Sequence, residues 1–333
     1  TCSRLGIPAD SVITGGMLEA MEESEALIRV GKARVFAELT PAQKAQIVSL
    51  IRLSGHTVGY IGDGANDVPA LTSADVGIVV DSAASESKKV ADLVLLERDL
   101  GVVAEGVSEG RTSFANASKY IRIASSSNFG NICSVAASSI FLPFVPATAT
   151  QLLLLNLCYD ATCLALSWDN VDDAEIARPK AWSGKGLGSF MLHFGFASSA
   201  FDIITFAILF LGVCPAVCGA PFAALDAAGR AAFIATFQAG WLLECAWTES
   251  LVLLVLRTRS VRDGDRPCRP LVMMVVVMLA ASALLALSPA AQLLGLAALP
   301  VWYLGIVALL SVLYLVVVST IKRVYLSCSS SLF

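Results

Sequence analysis

Residues 62–71 read Gly-Asp-Gly-Ala-Asn-Asp-Val-Pro-Ala-Leu and follow directly on the run Thr57-Val-Gly-Tyr-Ile. A β-branched and aromatic run that stops at two glycines predicts a strand ending in a tight turn. At that stop Asp63, Asn66 and Asp67 supply two carboxylates and an amide, a cradle suited to a hard cation and a phosphoryl oxygen. The flanking sequence repeats the pattern. Ala33-Arg-Val-Phe-Ala, Val76-Gly-Ile-Val-Val and Leu93-Val-Leu-Leu are predicted, with Thr57–Ile61, as short buried strands of a parallel sheet. Between the first two strands Thr40-Pro-Ala-Gln is a capping box with proline at the first helical position. The helix it opens carries Ile47, Val48 and Ile51 on one face and is predicted to end near Gly55. Strand and helix in this alternation predict a doubly wound α/β unit, whose ligands bind outside the carboxyl ends of the strands.

The rest of the chain is of a different kind. Of its 333 residues 56% are hydrophobic and 15% charged, against about 25% charged in soluble domains. A fully soluble globule of that balance would leave much apolar surface wet, so part of the chain is expected in lipid. Most carboxylates fall in residues 1–112, and long apolar runs dominate from Ile121. A net charge of -4 without a clustered basic face excludes a nucleic-acid role. Nine cysteines without a Cys-x-x-Cys pair, and only His56 and His193, give no zinc spacing, and reduced thiols are expected. No basic region and cleavage site of a signal peptide follows Thr1, so the chain reads as a fragment or a product whose start lies upstream.

Six runs, at 123–142, 149–168, 190–212, 232–256, 271–288 and 299–320, have the length and apolarity to cross a bilayer. Arg178, Lys180 and Lys185, then Arg257, Arg259, Arg262, Arg266 and Arg269, then Lys322 and Arg323 fall on one side of this array, whereas the opposite loops carry only Arg230. Positive charge marks the cytoplasmic side, which receives the soluble part and the carboxyl terminus. Cys214 and Cys218 fall in an opposite loop, reachable from outside, as a disulfide or as free thiols. Glu109–Arg122 has no break after Gly110 and predicts a rigid helical stalk into the first run, a route for coupling.

Ionisable side chains inside such runs are expensive and point to function. Asn156 and Asp160 are four apart on one helix face, and Asn128 and Asn131 three apart on the preceding run, so oxygen ligands from two helices are predicted for a divalent cation. Interhelical hydrogen bonding is the other role open to the amides. Asp202 and Glu244 are weaker candidates, and Glu249 is expected to be hydrated near the cytoplasmic end.

The ten residues from Gly62 to Leu71 resemble the hinge-proximal motif of the phosphorylation domain of P-type cation pumps, a haloacid-dehalogenase-like fold, and Thr40-Pro-Ala-Gln-Lys44 matches that family's lysine string. Lys119-Tyr-Ile-Arg-Ile-Ala-Ser-Ser-Ser-Asn-Phe-Gly-Asn131, Phe141-Leu-Pro-Phe, Asn156-Leu-Cys-Tyr-Asp and Trp168-Asp-Asn-Val-Asp look like the magnesium-transporting members of bacterial type. The resemblance implies that Asp63 ligates the catalytic Mg2+, that Asn66 and Asp67 hold the phosphate and its surroundings, and that Lys44 contacts the phosphoryl group. It implies ATP as co-substrate, bound mainly by parts outside this chain, and a multi-pass protein of the plasma membrane importing magnesium. Its partners would be lipid, a divalent cation and an amino-terminal portion of the pump. Residues 1–34 then end a nucleotide-binding region, 35–110 belong to the phosphorylation domain, 111–122 are stalk, 123–322 hold six transmembrane helices and 323–333 form a tail. The sequence has no Asp-Lys-Thr-Gly-Thr string and so no aspartate for covalent phosphoryl transfer, and the chain is expected to be inactive by itself. A non-catalytic scaffold or regulatory remnant, and a pump for another divalent cation such as calcium, are the alternatives.

Overall fold

The computed structural model describes residue 8 and residues 11–97, 99–182, 184, 186–258 and 266–328. The chain divides into two units, Thr1–Gly106 and Val107–Phe333.

In the first unit β1 (Val12–Thr14) leads through α1 (Gly15–Glu19) and α2 (Glu23–Lys32) to β2 (Val35–Ala37), which pairs with β1 in parallel. Ile13, Leu18, Ala26 and Val30 close over Ile47 and Leu50 of α3 (Pro41–Leu53), so residues 11–34, in which the sequence showed no motif, share a core with that helix. Helix α3 starts as predicted. The Thr40 hydroxyl accepts from the Gln43 N–H, the Gln43 side chain accepts from the Thr40 N–H, and Pro41 takes the first helical position. It stops at Leu53, with Gly55 at φ 85° just beyond, a conformation open to glycine.

A second, three-stranded parallel sheet comes next in the chain: β3 (Gly59–Gly62), then α4 (Val68–Ser73), β4 (Val76–Val80), α5 (Ser85–Val90) and β5 (Leu93–Leu95), in the spatial order β3-β4-β5. The strands therefore belong to two sheets rather than one. The expectation of uniformly buried strands holds for the centre of β4, where Ile78 and Val79 are covered. The outer strands leave Ile61, Leu93 and Val94 exposed, because each lies at a sheet edge.

Helix α6 (Leu100–Phe141) runs unbroken for 42 residues, and the division between the units falls inside it. In the second unit it is succeeded by α7 (Ala149–Cys163), which a 3-10 stretch extends to Trp168, and by the short α8 (Asp173–Ile176). The run Leu187–Cys218 joins α9 (Leu187–Phe190), α10 (Phe196–Ile208) and α11 (Cys214–Cys218) through two π-helical turns. Then come α12 (Ala227–Leu256), α13 (Arg269–Leu287) and α14 (Tyr303–Cys328).

Among the described residues, five helical runs are long and apolar enough to cross a membrane: Ala149–Trp168, Leu187–Cys218, Ala227–Leu256, Arg269–Leu287 and Tyr303–Ser327. The predicted first run, 123–142, is helical but not among them, because Ser125–Ser127, Ser134, Ser138, Ser139, Asn128 and Asn131 dilute its apolar content. Those small residues serve packing. Gly130 approaches the Gly195 carbonyl so closely that a Cβ would meet that oxygen at 3.0 Å, and the Ser199 hydroxyl donates to the Gly130 carbonyl at 2.7 Å. Helix α12 is the central element, 72% of its apolar stretch being buried against 17% of that of α13. Cys214 and Cys218 are free thiols, and Cys214 is fully buried rather than reachable from outside, packed with Phe206, Leu209 and Phe233.

Candidate phosphate cleft and intramembrane polar cluster

At the carboxyl end of β3 a cleft of about 540 Å³ is lined by Lys44, Tyr60, Gly62, Asp63, Asp67, Ser82 and Asp99, among others. Asp67 organises it. Its Oδ1 accepts from Lys44 Nζ at 2.7 Å and from the Tyr60 hydroxyl at 2.8 Å, and its Oδ2 accepts from the backbone N–H groups of Asp63 and Gly64 at 3.3 and 3.4 Å. Gly62 is required where it stands, since a Cβ there would lie 2.6 Å from that of Asp67. Burial works against ionisation of Asp67, but the bonds from Lys44, Tyr60 and Gly64 outweigh it and hold the carboxyl below its ordinary pKa. Tyr60 moves the other way, raised by burial and by its bond to Asp67. The loop is tied down by Ser87, whose hydroxyl donates to the Gly64 carbonyl at 2.7 Å, and by the Ala84 N–H on the Asp63 carbonyl at 3.0 Å.

The structure thus brings Lys44, Asp63 and Asp67 into one cleft. Asp63 is exposed and lines the cleft with the Lys44–Asp67 pair, while Asn66 is exposed and does not line it. Sequence reasoning misses Tyr60, because an aromatic residue in a strand run reads as core filling.

In the second unit the candidate cation ligands separate into two groups. Asp160 is exposed, accepts from the Tyr120 hydroxyl at 3.1 Å, and lines a cavity of about 570 Å³ with Asn116, Tyr120 and Ser167. Asn156, one turn away, is half-buried, and Asn128 is exposed. Asn131 is buried and turned elsewhere, donating to Glu249 Oε1 at 2.8 Å. Glu249 is therefore not hydrated as expected. It is 4% exposed, because most of α12 is covered by its neighbours and Asn131 of α6 packs against this carboxylate. One turn beyond Asn131, Ser134 donates to Asp202 Oδ2 at 2.5 Å, and Asp202 lies near Glu244 and Cys245.

A second feature that the sequence did not disclose lies beside the ends of α7 and α12. Asp169, fully buried, pairs with Arg257 Nε at 3.0 Å and Lys119 Nζ at 3.4 Å and accepts from the Cys268 N–H. Burial lowers the Lys119 pKa, and the attraction of Asp169 opposes that fall.

A family model described as the carboxyl terminus of cation transporting ATPases matches residues 144–324, more than half of the chain. The chain belongs to that ATPase family. A model of haloacid dehalogenase-like hydrolases matches residues 44–107, the stretch that forms the cleft. The cation-ATPase chain is 41% identical over 303 residues to "Magnesium-transporting ATPase, P-type 1" of Salmonella typhimurium, covering 91% of this chain and 32% of the relative. A protein of the same description from Escherichia coli is 40% identical over 304 residues, with the same coverage. "Endoplasmic reticulum calcium ATPase srcA" of Aspergillus fumigatus is 35% identical over 166 residues, 50% of this chain and 17% of the relative. The chain spans about a third of the length of the magnesium-transporting relatives it matches.

Proposed function

We propose that the chain serves as the carboxyl-terminal portion of a P-type ATPase that couples ATP hydrolysis to magnesium import across the plasma membrane, with the soluble unit and the carboxyl terminus cytoplasmic. The observation that carries this reading is the exposed Asp63 lining one cleft with the Lys44–Asp67 pair at the carboxyl end of β3. Likeness over 91% of the chain to magnesium-transporting proteins, against 50% to the calcium relative, favours magnesium as the cargo.

In this reading Lys44 brings a positive charge to the transferring phosphoryl group, and Asp67 fixes the lysine head through a charge-assisted bond. Tyr60 and the two backbone N–H groups hold Asp67 in turn, so the lysine is positioned before the phosphoryl group arrives. Asp63 is the hard oxygen donor that would hold Mg2+, which when bound neutralises charge on the phosphoryl oxygens. Asn66 lies outside the cleft lining and is given no contact with the phosphate in this reading. The nucleophilic aspartate and most of the ATP contacts come from an amino-terminal portion.

For the cargo we assign Asp160 and Asn156 of α7, with Asn128 of α6, as the oxygen-rich face, and leave out Asn131, which is turned to Glu249 instead. Asp202 and Glu244 stand apart from it. The 123–142 segment counts as a sixth span despite its serines, because its 20 residues reach about 30 Å. In this reading 111–122 are stalk and 35–110 belong to the phosphorylation domain, to which residues 11–34 also belong, since β1 pairs with β2 and their core is shared with α3.

Asp160→Asn in the full-length pump tests the cargo assignment. Magnesium transport and magnesium-stimulated ATP hydrolysis should fall at least tenfold, with expression and phosphorylation by inorganic phosphate retained. Unchanged transport would move the cargo site elsewhere.

A further inference from the structure

Three buried side chains in the second unit have no part in the phosphate cleft or the asparagine face. Asp202 of α10 and Glu244 and Cys245 of α12 each offer one ligand atom, and these atoms all lie within 4.8 Å of one another. The three residues are 3%, 1% and 2% exposed. Asp202 is fixed by donors: Ser134 on Oδ2 at 2.5 Å, and Trp241 Nε1 at 2.9 Å with Cys245 Sγ at 3.5 Å on Oδ1. Glu244 Oε2 is buried and has no hydrogen-bond partner among the described residues. No lysine or arginine pairs with either carboxylate among those residues. Asp202 and Glu244 share a side-chain hydrogen bond, so a proton lies between them in the empty site, and beyond that proton the pair and the orphaned Glu244 oxygen have no basic side chain to offset them among the described residues.

We propose that Asp202, Glu244 and Cys245 form a second intramembrane metal site that takes a thiophilic divalent cation of the zinc or cadmium class. Ligands on one zinc ion stand roughly 3–4 Å apart, a spacing these side chains reach by small adjustments. The thiolate decides the class of ion. An all-oxygen set suits magnesium, whereas sulfur in the set turns preference to softer metals. Trp241 and Ser134 act as the outer hydrogen-bonding shell that orients a ligating carboxylate. As the metal–sulfur bond forms, the Cys245 thiol gives up its proton, which passes to solvent, so at least one proton is released for each ion bound. The spacing of residues 202, 244 and 245 gives no sequence motif, which is why the cysteine count alone pointed away from zinc.

The test uses the full-length pump in detergent, with Cys245 retained as the only cysteine of this region and CdCl2 titrated in the presence of excess Mg2+. The sulfur-to-cadmium charge-transfer absorption should rise to a one-site plateau with proton release and resist magnesium. Cys245→Ser should abolish it. Asp202→Asn and Glu244→Gln should each weaken cadmium binding by about 10–100-fold while the band persists at saturation. Glu244→Gln is nearly isosteric and keeps the test open if Cys245→Ser fails to fold. The absence of a band in the Cys245-only protein would overturn the site. So would displacement by magnesium, or a cadmium affinity indifferent to both carboxylate variants. Failure here leaves the phosphoryl cleft and the magnesium cargo untouched, because neither uses these residues.

Discussion

Asp67 carries more of the cleft than any other side chain, since a lysine, a tyrosine and two backbone N–H groups converge on it. Tyr60→Phe removes one of these bonds without opening a large void. It is predicted to cost about 1 kcal/mol in stability, read as a shift in the urea midpoint, and to slow phosphoenzyme formation less than Lys44→Ala does. A separate acid-range prediction comes from Asp75, whose pKa is lowered first by the Val58 N–H and then, against slight desolvation, by Arg52 at 2.8 Å. A carboxyl depressed in the folded state stabilises above its unfolded pKa of about 3.9, and that contribution disappears as pH falls through the lower folded value. The stability gap between the native protein and Asp75→Asn should therefore be constant from about pH 5 to 7 and close progressively below about pH 4. At this scale Lys44, Asp63 and Asp67 were legible because a ten-residue string and a lysine string name them. Tyr60 was not, since its role depends on a side chain seven residues on that folds back over Gly62.

Among the elements, α3 was the most legible, because a capping box and a proline act locally and need no tertiary partner. Thr40→Ala should cost roughly 0.5–2 kcal/mol of stability, measured by chemical unfolding. A loss near zero would show that packing against Ile13 and Val30 holds the helix start without the cap. The Val12–Thr14 strand and the division into two sheets were not legible, since three-residue strands leave almost no periodicity to count. Burial around α12 was equally hidden. An apolar run with scattered acids reads the same whether one face or most of its surface is covered, and Glu249 was placed in water for that reason. The Lys119–Asp169–Arg257 cluster ties α6 and α12 to the segment after α7. Asp169→Asn leaves two buried cations without their carboxylate and should cost about 3–5 kcal/mol, seen as a lower unfolding temperature in detergent. Combining it with Lys119→Met should recover part of the loss.

The whole molecule sets an α/β unit with a polar cleft and a helical unit with buried acids on one chain. Composition made that duality plain, and the lysine and arginine asymmetry predicts which side of the membrane each loop occupies. Ser260, which lies outside the described residues, should react as Ser260→Cys only with a reagent that reaches the cytoplasm. Labelling by an impermeant reagent on intact cells would reverse the topology. The central claim is that the cleft acts on the phosphoryl group while the Asp160 face acts on the cargo. The most direct measurement is magnesium-dependent phosphoenzyme formation from ATP in full-length pumps carrying Asp63→Ala or Asp160→Asn, with phosphorylation by inorganic phosphate as the companion readout. The account predicts that Asp63→Ala abolishes phosphoenzyme from both sources, whereas Asp160→Asn retains phosphorylation by inorganic phosphate and loses stimulation by the transported ion. Phosphoenzyme at normal levels in Asp63→Ala would contradict it.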